Sequence, residues 1–270
     1  MADIARSFND LNFLDHLSTG NSFLHRLDPR VKLLTVMGFI FTVVSFPRYE
    51  ISSLLPFFFF PAVMIPLANI PVRYLMRKYL FLLPFAVLIG IFNPIFDREP
   101  FAFIGPLAVS GGMISFLSIL IRFTLTILAA FILVAVTGFN GICLALERFK
   151  VPEVFCVQLM MLYRYIFVLS SEAVKMARAR ELRSFGRKGQ GIKPYVSLIG
   201  HLLLRTWDRA RRVHTAMLSR GFHGKFYMRR PLALKASDVI FCLAWLFLFI
   251  VFRLYDIPAV IGEILTGAVA

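Results

Sequence analysis

The sequence predicts an all-α integral membrane protein, with about five transmembrane helices and a cytoplasmic platform of two long helices. Three observations carry that expectation. First, 59% of the 270 residues are hydrophobic, 30 of them Phe, which is too apolar for an ordinary soluble domain. Second, the net charge of +15 is concentrated: residues 178–230 hold fourteen Lys or Arg against two acids, Glu181 and Asp208. Lys and Arg accumulate on the cytoplasmic side of membrane proteins, so an apolar body with one basic region implies a large cytoplasmic face. Third, one fragment occurs twice, 37 residues apart: Ala179-Arg180-Glu181-Leu182-Arg183-Ser184-Phe185 and Ala216-Met217-Leu218-Ser219-Arg220-Gly221-Phe222. Each copy ends a long helical pattern, with a glycine close behind (Gly186, Gly224).

The elements follow in order. Met1 to Gly20 carries Asp3, Asp10 and Asp15 without an apolar core, so no signal peptide is expected there. A first span is predicted over 31–46, entered through Arg30 and Lys32 and closed by Pro47-Arg48. The second covers 51–70 despite Pro56, Pro61 and Pro66, which a span tolerates when neighbouring helices satisfy the freed carbonyls. Arg73, Arg77 and Lys78 read as a short basic loop before a third span over 79–96, in which Asn93-Pro94 marks a break. A Gly/Pro-rich turn through Gly112 leads to the fourth span, 113–137, and the fifth is 238–252. With Arg30/Lys32, Arg73/Arg77/Lys78 and the basic region inside, the loops at 47–50 and 97–112 and the tail 255–270 fall outside. This gives three parts: membrane helices in 1–150, a basic cytoplasmic segment in 151–233, and the last span with its outside tail in 234–270.

Within the basic segment, Pro152 can open a helix, and no Pro or Gly interrupts 154–184. Its first half is apolar enough to lie against or in the bilayer. A span here is disfavoured because Lys150 and the basic second half would then lie on opposite sides. Gly186, Gly189 and Gly191 make a flexible turn, and Pro194 starts a second helix that reaches Arg220. Its apolar stripe is Ile199, Leu203, Trp207, Ala210, Val213 and Met217, with Arg205, Arg209 and Arg212 on another face.

These fragments, with Leu162-Tyr163-Arg164-Tyr165-Ile166-Phe167 and His25-Arg26-Leu27-Asp28-Pro29-Arg30-Val31-Lys32-Leu33-Leu34, resemble the transmembrane T component of energy-coupling factor (ECF) transporters, in its cobalt-transport CbiQ-type branch. The resemblance covers nearly the whole chain. It implies a scaffold in the bacterial cytoplasmic (inner) membrane that joins a substrate-binding S component, and a possible small accessory membrane subunit, to two ABC-type ATPases. ATP would be bound by those ATPases, and the cargo would be cobalt, with nickel or a vitamin as alternatives. The motif arginines would insert into grooves on the ATPases, so Leu182, Arg183, Ser184, Phe185 and Ser219, Arg220, Gly221, Phe222 become docking candidates. Many members have Ala-Arg-Gly in the first motif, where this chain has Leu-Arg-Ser. Leu162, Ile166, Leu169, Ile199, Leu203 and Trp207 would pack on each other or on the S component, and Gly186, Gly189 and Gly191 would form a hinge.

The arginines make sense physically without the family. A guanidinium stays charged when buried and presents a rigid fork of donors suited to a carboxylate. It also complements a helix C-terminus, and a small residue after it lets a partner backbone approach. A single Arg-Gly is an ordinary helix ending, and basic residues near lipid usually meet anionic head groups. Two matched copies favour docking. Cys143, Cys156 and Cys242 are scattered, and His25, His201, His214 and His223 have no ligand partner at helical spacing, so no metal site is expected. Neither Gly186–Gly191 nor Gly224-Lys225 completes a phosphate loop, so no cofactor is expected in this chain. A membrane-anchored enzyme would need clustered His, Asp or Glu on the basic face. A tether to anionic lipid or nucleic acid would leave the repeats unexplained, and no nucleic-acid partner is expected.

Overall fold

The computed structural model of the protein describes residues 17–20, 22–47, 49–96, 100–104, 107–183, 193–224 and 234–255. In chain order it contains α1 (Phe23–Arg26), α2 (Pro29–Val44), a 3-10 segment (Ser52–Phe58), α3 (Phe59–Leu67), α4 (Val72–Gly90) and α5 (Phe92–Phe96). Then come β1 (Pro100–Ile104), β2 (Leu107–Ser110), α6 (Gly111–Arg148), α7 (Glu153–Arg183), α8 (Lys193–Ser219) and α9 (Ala236–Leu254). The expected all-α membrane architecture is present, with one addition. The Gly/Pro-rich turn is flanked by a two-stranded antiparallel hairpin in which Ile104 faces Leu107. The chain divides into one unit of residues 14–142 and 232–270 and another of 1–13 and 143–231.

In the first unit, proline placement sets the helix boundaries. Pro29 takes the first position of α2, where its missing N–H costs nothing, and the Asp28 carboxylate accepts the Arg30 N–H at 2.9 Å. The second predicted span is broken instead of continuous: Pro56, Pro61 and Pro66 leave a 3-10 segment followed by the short α3. Arg73, Arg77 and Lys78 lie on the first turns of α4 and not in a loop, because long cationic stems can reach outward from a helix surface. The third span breaks at Ile91, three residues before Pro94, since the proline ring clashes with the carbonyl four positions earlier, that of Gly90.

Among the described residues, four helical stretches are long and apolar enough to cross a membrane: Val72–Ile95, α6, α7 and α9. The first two predicted spans are shorter. α2 has 16 residues, about 24 Å of rise against roughly 30 Å of hydrocarbon, and Ser52–Leu67 is comparable. α7 qualifies by length and composition, although its charges had argued against a crossing.

Aromatic packing builds the core of this unit. Phe39 on α2 stacks on Phe60 at 4.5 Å and meets Phe249 of α9 edge-on at 5.3 Å, with Phe57 and Trp245 around them. Leu125, Ala129 and Ile132 bring α6 into the same cluster. Close approach depends on small residues: a Cβ at Gly38 would lie 2.6 Å from Leu246, and one at Gly90 would lie 2.7 Å from Phe116.

Polar locks sit at the two ends of these helices. At one end Arg122 of α6 donates to Pro47 O, and Arg253 of α9 donates to Ser45 O at 3.4 Å while lying over Phe46. Both arginines therefore serve carbonyls at the C-terminus of α2. At the other end α6 is interrupted at Gly138 (φ 66°, ψ 160°), a conformation essentially reserved for glycine. A Cβ there would also meet Ser18 Oγ at 2.7 Å. A break in a helix orphans carbonyls of the preceding turn, and the buried Lys32 ammonium donates to Val136 O at 3.5 Å and to His25 O at 3.2 Å. The charges of the buried Asp28 and Asp238 both act on that ammonium. The fourth predicted span was expected to stop at Thr137, one residue before this break.

Candidate functional site

The second unit is built on α7 and α8, and their side-chain contacts show an antiparallel hairpin. Near the end of α7, the Arg180 guanidinium stacks on the Tyr195 ring at 4.2 Å, close to the start of α8. Two turns back, Glu172 accepts from Arg205 at 3.1 Å and from Arg209 at 3.2 Å. Glu172 is therefore held by two cations from the facing helix. Arg205 and Arg209 thus bridge the helices. Arg212, on the same predicted face, is exposed.

An antiparallel pair sends its two helix C-termini to opposite ends, and each carries a motif arginine. Arg183 closes α7, with Leu182 beside it 75% exposed. Arg220 follows α8 and is also exposed, as is Ser219, whose hydroxyl bonds back to Thr215 O. The 27 residues of α8 correspond to about 40 Å, which sets the separation of the two tips. Ser184, Phe185, Gly186, Gly189 and Gly191 lie outside the described residues.

The second tip has a defined geometry. Gly221 N–H donates to Leu218 O at 2.9 Å, and Phe222 N–H to Met217 O at 3.0 Å. These are the two bonds of a Schellman ending, which needs a left-handed residue between them. Gly221 supplies it at φ 78°, with nothing within 4 Å of an added Cβ. The glycine is therefore required by backbone conformation and not by crowding. Arg220 is left pointing outward, while Phe222 turns back toward Met217. The family resemblance had placed Phe222 with Arg220 among the docking candidates. The structure puts it in the wall of the chain's own groove. A hydrophobic residue three places after the last helical position, with glycine before it, is the signal that could have found this.

That groove, about 660 Å³, runs between the first half of α7 and the second half of α8. Five of the six predicted packing residues line it: Leu162, Ile166, Leu169, Leu203 and Trp207. Ile199 lies outside and is 64% exposed. Gln158, Arg209 and His214 add polar points to the lining. Trp207 remains 64% exposed, a large apolar surface for a chain standing alone.

The remaining histidines and cysteines do other work. His25 Nε2 donates to Leu17 O at 2.8 Å, so its Nδ1 accepts from the Ser22 hydroxyl at 2.6 Å. Burial lowers its pKa from the ordinary value. The nearby Lys32 charge acts in the same direction, against the hydrogen bond to Leu17. Cys143, Cys156 and Cys242 are buried free thiols. Among the described residues, no three His, Cys, Asp or Glu side chains form a group able to hold a metal ion.

Comparison with known proteins gives a consistent picture. The family model for CbiQ, a cobalt transport protein, matches residues 20–232. An uncharacterized protein of Methanocaldococcus jannaschii is 26% identical over 263 residues, covering 94% of this chain and 89% of that protein. The energy-coupling factor transporter transmembrane protein EcfT of Bacillus subtilis is 27% identical over 222 residues, 76% of this chain and 82% of its own length. The cobalt transport protein CbiQ of Rhodobacter capsulatus is 31% identical over 81 residues, 30% of this chain and 33% of its own length.

Proposed function

The chain belongs to the CbiQ cobalt transport family, and from that premise we propose that it is the T component of an ECF-type importer, coupling ATP hydrolysis by two partner ATPases to uptake of cobalt held by a separate S component. It is a multi-pass protein of the cytoplasmic membrane and a transport component, not an enzyme. The observation that carries the coupling role is the pair of exposed motif arginines at opposite ends of one antiparallel hairpin. Tips about 40 Å apart cannot enter one small site, so they fit two partner subunits better than one. Each arginine would enter an acidic groove, where Leu182, Ser184 and Phe185, or Ser219 and Gly221, form the surrounding contact. The apolar groove between α7 and α8 would receive an apolar helix of the S component. Its exposed Trp207, Leu203 and Leu162 supply area, and Arg209 and Gln158 supply orientation. Cargo would be bound by the S component.

Replacing Arg183 and Arg220 together by Ala tests the docking role. Removing one partner of a buried charge pair costs about 2–5 kcal/mol, so the double variant should lose its ATPases in detergent extracts while remaining in the membrane at normal level. Full ATPase stoichiometry in that variant would sink the docking role.

A further inference from the structure

We infer that Phe222 is a positioning residue that ties the second arginine tip to the apolar groove, so that engagement of Arg220 is registered at the groove wall. The inference rests on the docking reading of Arg220 and adds the route by which docking is transmitted. The geometry leaves one short path. Residues 217 to 222 close on themselves through the Gly221–Leu218 and Phe222–Met217 hydrogen bonds, with Gly221 left-handed between them. Backbone displacement at residue 220 is therefore shared with Met217 and Phe222, because moving one alone would break those bonds. Both side chains line the groove, together with Leu203, Trp207 and Val154. Arg220 itself is exposed and is not part of that lining.

The chemistry at the two faces also differs. The outer face offers a charged fork for an acidic partner, with open space at Gly221 for that partner's backbone. The inner face offers an aromatic ring to an apolar cleft. A ring on a closed turn is a stiff element, since Phe has few rotatable bonds and its backbone N–H is already committed to Met217. Such an element can bias the width of the cleft according to whether a partner holds the arginine. A ligand shifts such an equilibrium only through differential contacts with its two states, and the arginine tip supplies the contact that differs.

The test uses the assembled transporter in membranes, with a single cysteine at Val154, an exposed residue of the groove wall, in a cysteine-free background. Alkylation of that cysteine is timed without nucleotide and after trapping with ATP and vanadate. With Phe222 present, the rate should differ several-fold between the two conditions. Phe222→Ala should abolish the difference with ATPases still co-purifying. Phe222→Leu, which keeps apolar bulk, should retain part of it and keeps the test open if the Ala variant accumulates poorly. An undiminished nucleotide dependence in Phe222→Ala would overturn the inference, as would loss of ATPases from that variant or no dependence with Phe222 present. Arg220→Ala is the control that separates the two claims. If it leaves the ATPase complement intact and the dependence unchanged, the docking reading has failed, whatever Phe222 does.

Discussion

Lys32 and His25 show how much rests on single side chains at the inner end of the membrane unit. Lys32 is 6% exposed and holds a carbonyl released by the break in α6. Replacing it by Met would remove the ammonium from beside the buried Asp238, leave Asp28 only Arg30 at 3.8 Å, and leave Val136 O without this donor. Breaking a buried charge arrangement this way costs roughly 3–5 kcal/mol, so Lys32→Met should lower the thermal midpoint in detergent sharply. A midpoint equal to that of the unaltered protein would show that the acids are neutral or paired elsewhere. His25 gives a pH dependence. Its folded pKa lies below the unfolded value of 6.5, so the unfolded chain binds more protons in the window below 6.5. Stability from this residue is therefore present above pH 6.5 and is lost as the pH falls. Midpoints measured down from pH 7 should decline, and His25→Gln, which keeps a donor and an acceptor, should flatten that part of the curve.

At the scale of the helical hairpin, the pairing of α7 with α8 is electrostatic toward the end of α7 and apolar toward the groove. Arg205 is 62% exposed and Glu172 25%, so solvent screens this bridge and each ion pair contributes about 0.2–1 kcal/mol. Glu172→Gln should accordingly lower hairpin stability by no more than about 1–2 kcal/mol. A double-mutant cycle with Arg209→Gln should recover a coupling energy under about 1 kcal/mol, read from thermal midpoints. A much larger coupling would mean that the pair is buried by something absent from the isolated chain. The three inter-helix contacts together fix the antiparallel register, and that register is what separates the two arginine tips.

For the whole molecule, orientation is the remaining consequence of charge. The ends of α2, α6 and α9 alternate in space: Ser45 and Pro47 lie with Arg122 and Arg253, while Lys32 lies with Val136 and within the field of Asp238. The positive-inside rule then assigns the Lys32 end to the cytoplasm. Single cysteines at Tyr49 and at Arg211, in a cysteine-free background, should be labelled from outside intact cells only at position 49. Labelling of both would mean that α7, long and apolar enough to do so, crosses the bilayer and carries α8 to the other side.

The apolar content, the concentrated basic segment and the duplicated arginine fragment are local in sequence, so the sequence alone determined an all-α membrane protein with two long helices in its basic segment. It determined the helix end near Thr137 and the apolar stripe of α8 for the same reason, since periodicity and glycine act within a few residues. Where Pro94 acts on Gly90 the signal was also local, and it was placed three residues late. Only the tertiary structure decided that Lys32 closes the break at Gly138, residues more than a hundred positions apart. It also decided that Glu172 faces Arg205 and Arg209, and that the two arginines point to opposite ends of one hairpin. Helix pairing depends on which faces meet after the chain reverses, and neither composition nor spacing records that direction. Phe222 lies between these cases: its Schellman ending is local, but the groove it enters exists only because α7 packs alongside α8.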